Sequence, residues 1–169
     1  MATEDLTTDR LRLVPLTAGD AEDLFPVFDD PALGRWTGET PPADVESLRQ
    51  RFAAWEAGPG EGAADRWLNW TMRRRKDDRA VGHLQSTVVG RTAAVAWVVG
   101  TTFQGQGFAT EAARALVAWL RDNGIAEIEA SIHPGNLPSQ VVASRAGLQP
   151  TGRTNDGEVV WSSEAGAAS

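Results

Sequence analysis

Phe103–Ala113 reads F-Q-G-Q-G-F-A-T-E-A-A. Gly105 and Gly107 lack a Cβ, so positive φ is open to them and a ligand can lie against their backbone. A helical pattern starts at once: Ala109, Ala112, Ala113, Leu116 and Leu120 fall on one stripe. Upstream, Thr92–Val99 is a run of Val, Ala and Trp that reads as a buried strand. The unit is strand, glycine loop, helix. The first N–H groups of such a helix lack intrahelical partners and sit at the positive end of its dipole, which suits an anion such as a phosphate. A glycine turn that merely joins two elements has the same spacing, and on this stretch alone the two readings stand level. The dinucleotide fingerprint G-x-G-x-x-G is not met, because Thr110 stands at the third glycine position. Glu127 or Glu129 does follow about 20 residues on, as that fingerprint asks.

The remaining chain sets the frame for this unit. Its 169 residues, 41% apolar and 23% charged, suit one globular domain with a sizeable core. No apolar run approaches the roughly 20 residues of a membrane span. The start, Met1-Ala2-Thr3-Glu4-Asp5, lacks the basic and apolar regions of a signal peptide, so a cytoplasmic protein is expected. There is no cysteine, which excludes disulfides, thiolate metal sites and cysteine nucleophiles. Nothing points to a metal. A net charge of −7 argues against nucleic-acid binding and is compatible with a cationic acceptor or with mere solubility. The basic run Arg73–Lys76 lies beside two aspartates and reads as a solvated hairpin end.

Taken in order, Arg10–Leu16 alternates as a first strand. Thr17-Ala18-Gly19-Asp20 has capping-box form ahead of a helix that Pro26 shortens or kinks. Asp29-Asp30-Pro31 reads as a turn and Ala32–Thr40 as a loop. Pro41-Pro42 opens a second helix with Val45, Leu48, Phe52 and Trp55 on one stripe. Three antiparallel strands follow at Trp67–Arg75, Ala80–Val89 and Thr92–Val99, the last two joined across Gly90-Arg91. After the glycine loop and its helix, Asn123-Gly124 is a stop signal and Ile125–Ile132 alternates again. Asn136 caps a further helix that ends at Gly147. Leu148–Thr154 and Glu158–Trp161 form a closing hairpin, and Glu164–Ser169 a frayed tail.

Gln104, Gly107 and Ala109 meet the pattern [Q/R]-x-x-G-x-[G/A], and Thr110-Glu111-Ala112 opens the helix. In this the stretch resembles the acyl-CoA pyrophosphate loop of the GCN5-related N-acetyltransferases (GNAT). His133–Leu148 strengthens the resemblance, with Asn136, Ser139, Gly147 and Leu148 matching the family's N-x-x-S…G-[FL] segment. The element order β-α-α-β-β-β-α-β-α-β-β is also that family's. Leu11-Arg12-Leu13-x-Pro15-Leu16 and the Trp36 region look like its RimJ/RimL branch. The likeness runs from Arg10 to Trp161. It implies an α/β (α+β) GNAT fold spanning residues 1–169 as one domain. Its central mixed sheet would have about six to seven strands flanked by about four helices, with a flexible tail from 162 to 169.

The resemblance also implies acetyl-CoA as co-substrate and direct transfer of its acetyl group to a primary amine, on a protein N-terminus or on a small amine or antibiotic. The backbone of Gln104, Gly105, Gln106, Gly107, Phe108 and Ala109 and the hydroxyl of Thr110 would hold the pyrophosphate. The pantetheine arm would pair with the free edge of Trp97, Val98 and Val99, where a bulge splays this strand from the next, and would bond Asn136. Arg145 either reaches a CoA phosphate or is an ordinary exposed helix arginine. A homodimer is compatible with the exposed strand ends.

Transfer chemistry needs a group to take a proton from the ammonium and one to protonate or stabilise the leaving thiolate. The tyrosine that many members place after the Asn corresponds here to Ala143, and the chain has no tyrosine. Ser139 is the nearest hydroxyl, as a general acid or only a CoA contact. The strand carboxylate that relatives carry before the glycine loop corresponds to Ala94. His83, mid-strand and of suitable ordinary pKa, is an alternative base, His133 another, and a water chain or a minor neutral amine a third. Trp55 and Trp119 read as core. Trp36 and Trp70 are candidates to line the acceptor pocket, and Asp29, Asp30 and Glu39 to hold a cationic amine. The rival reading is a non-catalytic acyl-CoA-binding module.

Overall fold

In the computed structural model, which describes residues 1–164, the three central strands run nearly as their alternation predicts. They are β3 (Asp65–Arg74), β4 (Ala80–Val89) and β5 (Thr92–Val99), consecutive and antiparallel. β2 (Leu11–Pro15) pairs with β3, and the two-residue β1 (Leu6–Thr7) forms one edge. β6 (Glu127–Ile132) adds parallel to β5, so the chain must cross over between them. That crossover is α4 (Phe108–Asp122). β8 (Glu158–Ser162) then pairs antiparallel with β6, and β7 (Gln149–Asn155) closes the far edge. The result is one mixed sheet of 8 strands in the order β1-β2-β3-β4-β5-β6-β8-β7. Asp156 and Gly157, at φ 47° and 79°, turn the last hairpin as a type I′ turn requires.

Five α-helices flank the sheet, one more than expected. Thr17 and Asp20 form the anticipated capping box around a short 3-10 turn, and α1 (Ala21–Phe28) follows and runs through Pro26. The stretch read as turn and loop contains α2 (Pro31–Thr37). Asp30 accepts from the Ala32 N–H at 2.9 Å, Pro31 supplies a preset φ, and Gly38 ends the helix in the left-handed region. α3 (Val45–Ala57) starts later than Pro41-Pro42 because Asp44 caps it, accepting from the Ser47 N–H at 2.7 Å. α5 (Leu137–Arg145) begins at Asn136 as expected. Of the expected tail, residues 162 and 163 are tied to the sheet instead: Ser163 donates its N–H to the Ile128 carbonyl and accepts from Ile128 at its hydroxyl. The tail beyond 164 lies outside the described residues. Among these, no helix is long and apolar enough to cross a membrane, and no group of three His, Asp or Glu is placed to hold a metal.

The sheet has two apolar faces. On one, α4 lays Ala112, Leu116 and Leu120 against Leu11, Leu13, Trp70, Leu84 and Ile128, all fully buried. On the other, α1 and α3 bury Leu24, Leu48 and Phe52. Two sites on β4 show how tightly these layers meet. Gly82 faces Val99 in register, and a Cβ there would lie 2.2 Å from the Val98 carbonyl oxygen. His83 points to the other face, only 4% exposed, stacked on Trp55 with ring centroids 5.4 Å apart and bonded through Nε2 to the Asn69 Oδ1 at 3.0 Å.

Gly82→Ala is expected to cost roughly 1–3 kcal/mol, since backbone rather than a side-chain tip must move; a urea titration at pH 7 measures it. Burial lowers the His83 pKa from 6.5 to about 4. Between those values the unfolded chain binds a proton that the folded chain refuses. Stability is therefore whole above pH 6.5 and falls by up to about 3 kcal/mol towards pH 4. His83→Gln is expected to flatten that limb of the stability–pH curve.

Candidate active site

The glycine loop is built where β5 ends. A 3-10 turn over Thr101–Phe103 leads out of the sheet, and Gln104 is tied back by its Nε2, which donates to the Val99 carbonyl at 3.0 Å. Gly105 and Gly107 then take φ of 75° and 85°, the left-handed region that a side chain would resist. Gly107 caps α4, and its carbonyl accepts from the Glu111 N–H. The N–H groups of the first turn, over Phe108–Thr110, are left without intrahelical partners. The Phe108 ring is buried in the core, so only its backbone faces the loop.

A second element holds this loop, and nothing in the local spacing announced it. Arg10, immediately before β2, donates from Nη1 to the Gln106 carbonyl at 2.8 Å and from Nε to Glu111 at 2.7 Å. Its guanidinium lies 4.6 Å from the centre of the Phe108 ring. Thr8 donates its hydroxyl to Glu111 at 2.6 Å, and the Arg10 backbone N–H does so at 2.8 Å. Burial alone would raise the Glu111 pKa, but these bonds and the Arg10 charge hold it below the usual carboxylate range. With its carbonyl taken by Arg10, Gln106 does not line the cleft.

β5 and β6 stay together for only three residue pairs, Thr92 with Glu127, Ala93 with Ile128 and Ala94 with Glu129, and then part. The expected bulge is absent from this opening. β5 keeps register with β4 along its whole length, and the register shifts of the sheet lie elsewhere, between Met72 and Arg73 on β3 and between Pro150 and Thr154 on β7. From Val95 to Val99 the β5 edge facing β6 has no strand partner. The gap is a cleft of about 1040 Å³. It brings together Trp97, Val98, Val99, Gln104, Gly105, Gly107, Phe108, Ala109, Thr110, Asn136 and Ser139, and Trp36 and His83 also line it. Asn136 caps α5, accepting from the Ser139 N–H at 3.3 Å, while its side-chain nitrogen has no protein partner among the described residues. A free strand edge, an amide and unpaired helix N–H groups along one groove fit an amide-rich, pyrophosphate-bearing ligand.

The far end of the cleft departs from expectation in several places. Trp70 is not there. It is fully buried on the α4 face, edge-on to Trp119, with its N–H donated to the Glu4 carbonyl at 2.9 Å. It shares that face with Leu68 and Met72, as strand alternation requires. Asp30 is spent on capping α2 and on accepting from Thr101 at 2.6 Å, bonds that lower its pKa, and neither it nor Asp29 lines the cleft. Glu39 does, with its pKa raised by burial and partly offset by Arg51. Trp36 packs on His133 at the mouth, ring centroids 5.4 Å apart. Glu158 also lines the wall and was not anticipated; burial raises its pKa against the pull of His133. Ala94 and Ala96 leave the floor small. Glu129, in register with Ala94, is bound to Arg153. The ordinary pKa that recommended His83 as a base does not survive its burial.

The protein is similar to the uncharacterized N-acetyltransferase p20 of Bacillus licheniformis, 26% identical over 159 residues that span 92% of this chain and 88% of that one. Its fold matches a GNAT-family acetyltransferase from Bacillus anthracis with a TM-score of 0.77 at 19% identity, covering 94% of this chain and 97% of the other. It also matches AAC(6')-Ib in complex with paromomycin and acetyl-CoA, with a TM-score of 0.73 at 20% identity over 91% and 92% of the two chains. A family model described as acetyltransferase (GNAT) domain matches residues 10–149, from the arginine that clasps the glycine loop to the first residue of β7. Clasp, glycine loop, parted strands and Asn-capped helix all lie within that span, and the chain belongs to the GNAT acetyltransferase family.

Proposed function

We propose that this protein transfers the acetyl group of acetyl-CoA directly to a primary amine that enters the cleft between Trp36 and Glu158. The observation that carries the reading is the continuity of the cleft. One groove joins the helix N-terminus at Gly107–Thr110, the unpaired β5 edge and the acceptor wall. Phosphate oxygens are held by the α4 N–H groups and the Thr110 hydroxyl. Backbone groups of Trp97–Val99 and the free amide of Asn136 hold the arm. This fixes the reacting carbonyl between the parted strands, and positioning of two reactants in this way supplies much of the rate.

Ser139 lines the cleft beside Asn136, and its hydroxyl makes no hydrogen bond among the described residues. It is placed to donate to the leaving sulfur. No carboxylate stands at Ala94, and a neutral His83 with a pKa near 4 is a weak proton acceptor. The ammonium's proton then goes to water in the cleft or to His133, so that the neutral amine is the reacting species. The acceptor is a protein N-terminus or a small amine or antibiotic. The Leu11–Leu16 segment and Trp36 favour the RimJ/RimL branch, and Glu158 and Glu39 on the wall favour a cationic acceptor.

Thr110→Glu tests the reading. A glutamate in the first turn suits the helix dipole, so the fold is expected to persist. The carboxylate stands where the pyrophosphate binds, and calorimetry is expected to show at least about a hundredfold loss of acetyl-CoA affinity, near 3 kcal/mol. An amine panel with thiol release as readout then identifies the acceptor. Ser139→Ala is expected to lower kcat roughly tenfold to a hundredfold with little change in acetyl-CoA affinity. Acetyl-CoA binding without turnover on any amine would favour the non-catalytic module, and no binding to the unaltered protein would overturn both readings.

A further inference from the structure

A second cavity, of about 530 Å³, opens beside the glycine loop, between Thr8 and Asp9 ahead of β2 and the first turns of α4. Gly107 and Thr110 line it and also line the main cleft, so the two meet at the N-terminus of α4. Farther along, its wall carries two guanidiniums. Arg114 follows Thr110 by one helical turn on the same face of α4, and Arg145 comes from the last turn of α5 and borders both cavities. Among the described residues neither arginine has a salt bridge or a side-chain hydrogen bond, and, unlike the equally unpaired Arg35, Arg66, Arg79 and Arg121, both line this cavity. Two carboxylates share the wall. Glu111 is neutralised by Arg10, and Asp9 leaves the pair of arginines in excess. This positive spot sits on a chain of net charge −7.

For a ligand whose acyl arm runs along β5 and whose pyrophosphate sits at Gly107–Thr110, this cavity is the continuation of the cleft, because Gly107, Thr110 and Arg145 border both. In coenzyme A the part that leaves is the adenosine, which carries a phosphomonoester on its ribose. That group is close to doubly charged at neutral pH and matches the forked donors of arginine. We infer that Arg114 and Arg145 together form a phosphomonoester site that reads the ribose phosphate of coenzyme A and lets the enzyme distinguish it from dephospho-coenzyme A. The inference rests on the acetyl-CoA reading above.

The test is calorimetric titration of the whole protein with coenzyme A and with dephospho-coenzyme A, in phosphate-free buffer at low salt. Because both arginines are solvent-exposed, their joint effect is modest: the unaltered protein is expected to bind coenzyme A about tenfold more tightly than dephospho-coenzyme A. In the Arg114→Gln, Arg145→Gln double variant coenzyme A is expected to fall to the affinity of dephospho-coenzyme A, whose own affinity stays unchanged. Added salt is expected to narrow the gap in the unaltered protein. Equal affinities in the unaltered protein, or equal weakening of both ligands in the variant, would overturn the site while leaving the acetyl-CoA reading intact. Failure of both ligands to bind the unaltered protein would overturn that reading and the site with it.

Discussion

β5 and β6 pair over three residues and no more. A parallel pair of strands is normally closed along its length, because unpaired backbone groups in a sheet interior are costly. Here five residues of β5 are left with an open edge inside the molecule, and the rest of the structure is arranged around that opening. β4 holds β5 straight from the other side through an unbroken antiparallel register, with Gly82 allowing the close approach near its end. β8 and β7 brace β6, and the α4 crossover spans the gap from behind. Gln104 satisfies one exposed carbonyl, that of Val99, and the rest of the edge is available to a ligand.

Electrostatics sorts the two ends of the groove. At the glycine loop the helix dipole and unpaired N–H groups present partial positive charge. The one acid in the first turn of α4, Glu111, is bound by Arg10 and Thr8, so it does not compete with a bound anion. At the opposite end the charged wall groups include Glu39 and Glu158, both with pKa values raised by burial. His83 contributes no charge there, because desolvation keeps its ring neutral. An anionic ligand thus meets a complementary surface at the glycine loop, while the far wall sets Arg35 against these two acids.

Much of this was legible in the sequence because it is local. β4 and β5 match their expected bounds residue for residue, since period-two alternation and the Gly90 turn are short-range signals. The glycine loop, the Asn136 cap and the Gly147 stop follow from backbone chemistry at single positions. What escaped was decided at long range. Which face of β3 Trp70 takes depends on the partner across the sheet, and alternation alone cannot choose between two apolar faces. Asp30 and Pro31 carried an N-cap signal, but Gly34 and Gly38 made the segment look like a loop, and α2 is only seven residues long. The pKa of His83 depends on what covers it, here Phe28 and Trp55 from two different helices. The Arg10–Glu111 pair joins residues 101 apart in the chain.

That last separation bears on how the molecule assembles. A contact across so many residues gives no return until most of the chain has been brought into place, and the entropy of closing so long a loop must be met first. β2 emerges early in synthesis, yet the Gln106 carbonyl and Glu111 that it grips arrive only after β3, β4 and β5, and Asn136 and Arg145 later still. The glycine loop is thus among the last features to become rigid. A nascent or truncated chain can form the antiparallel hairpins of its centre well before it owns a competent binding groove.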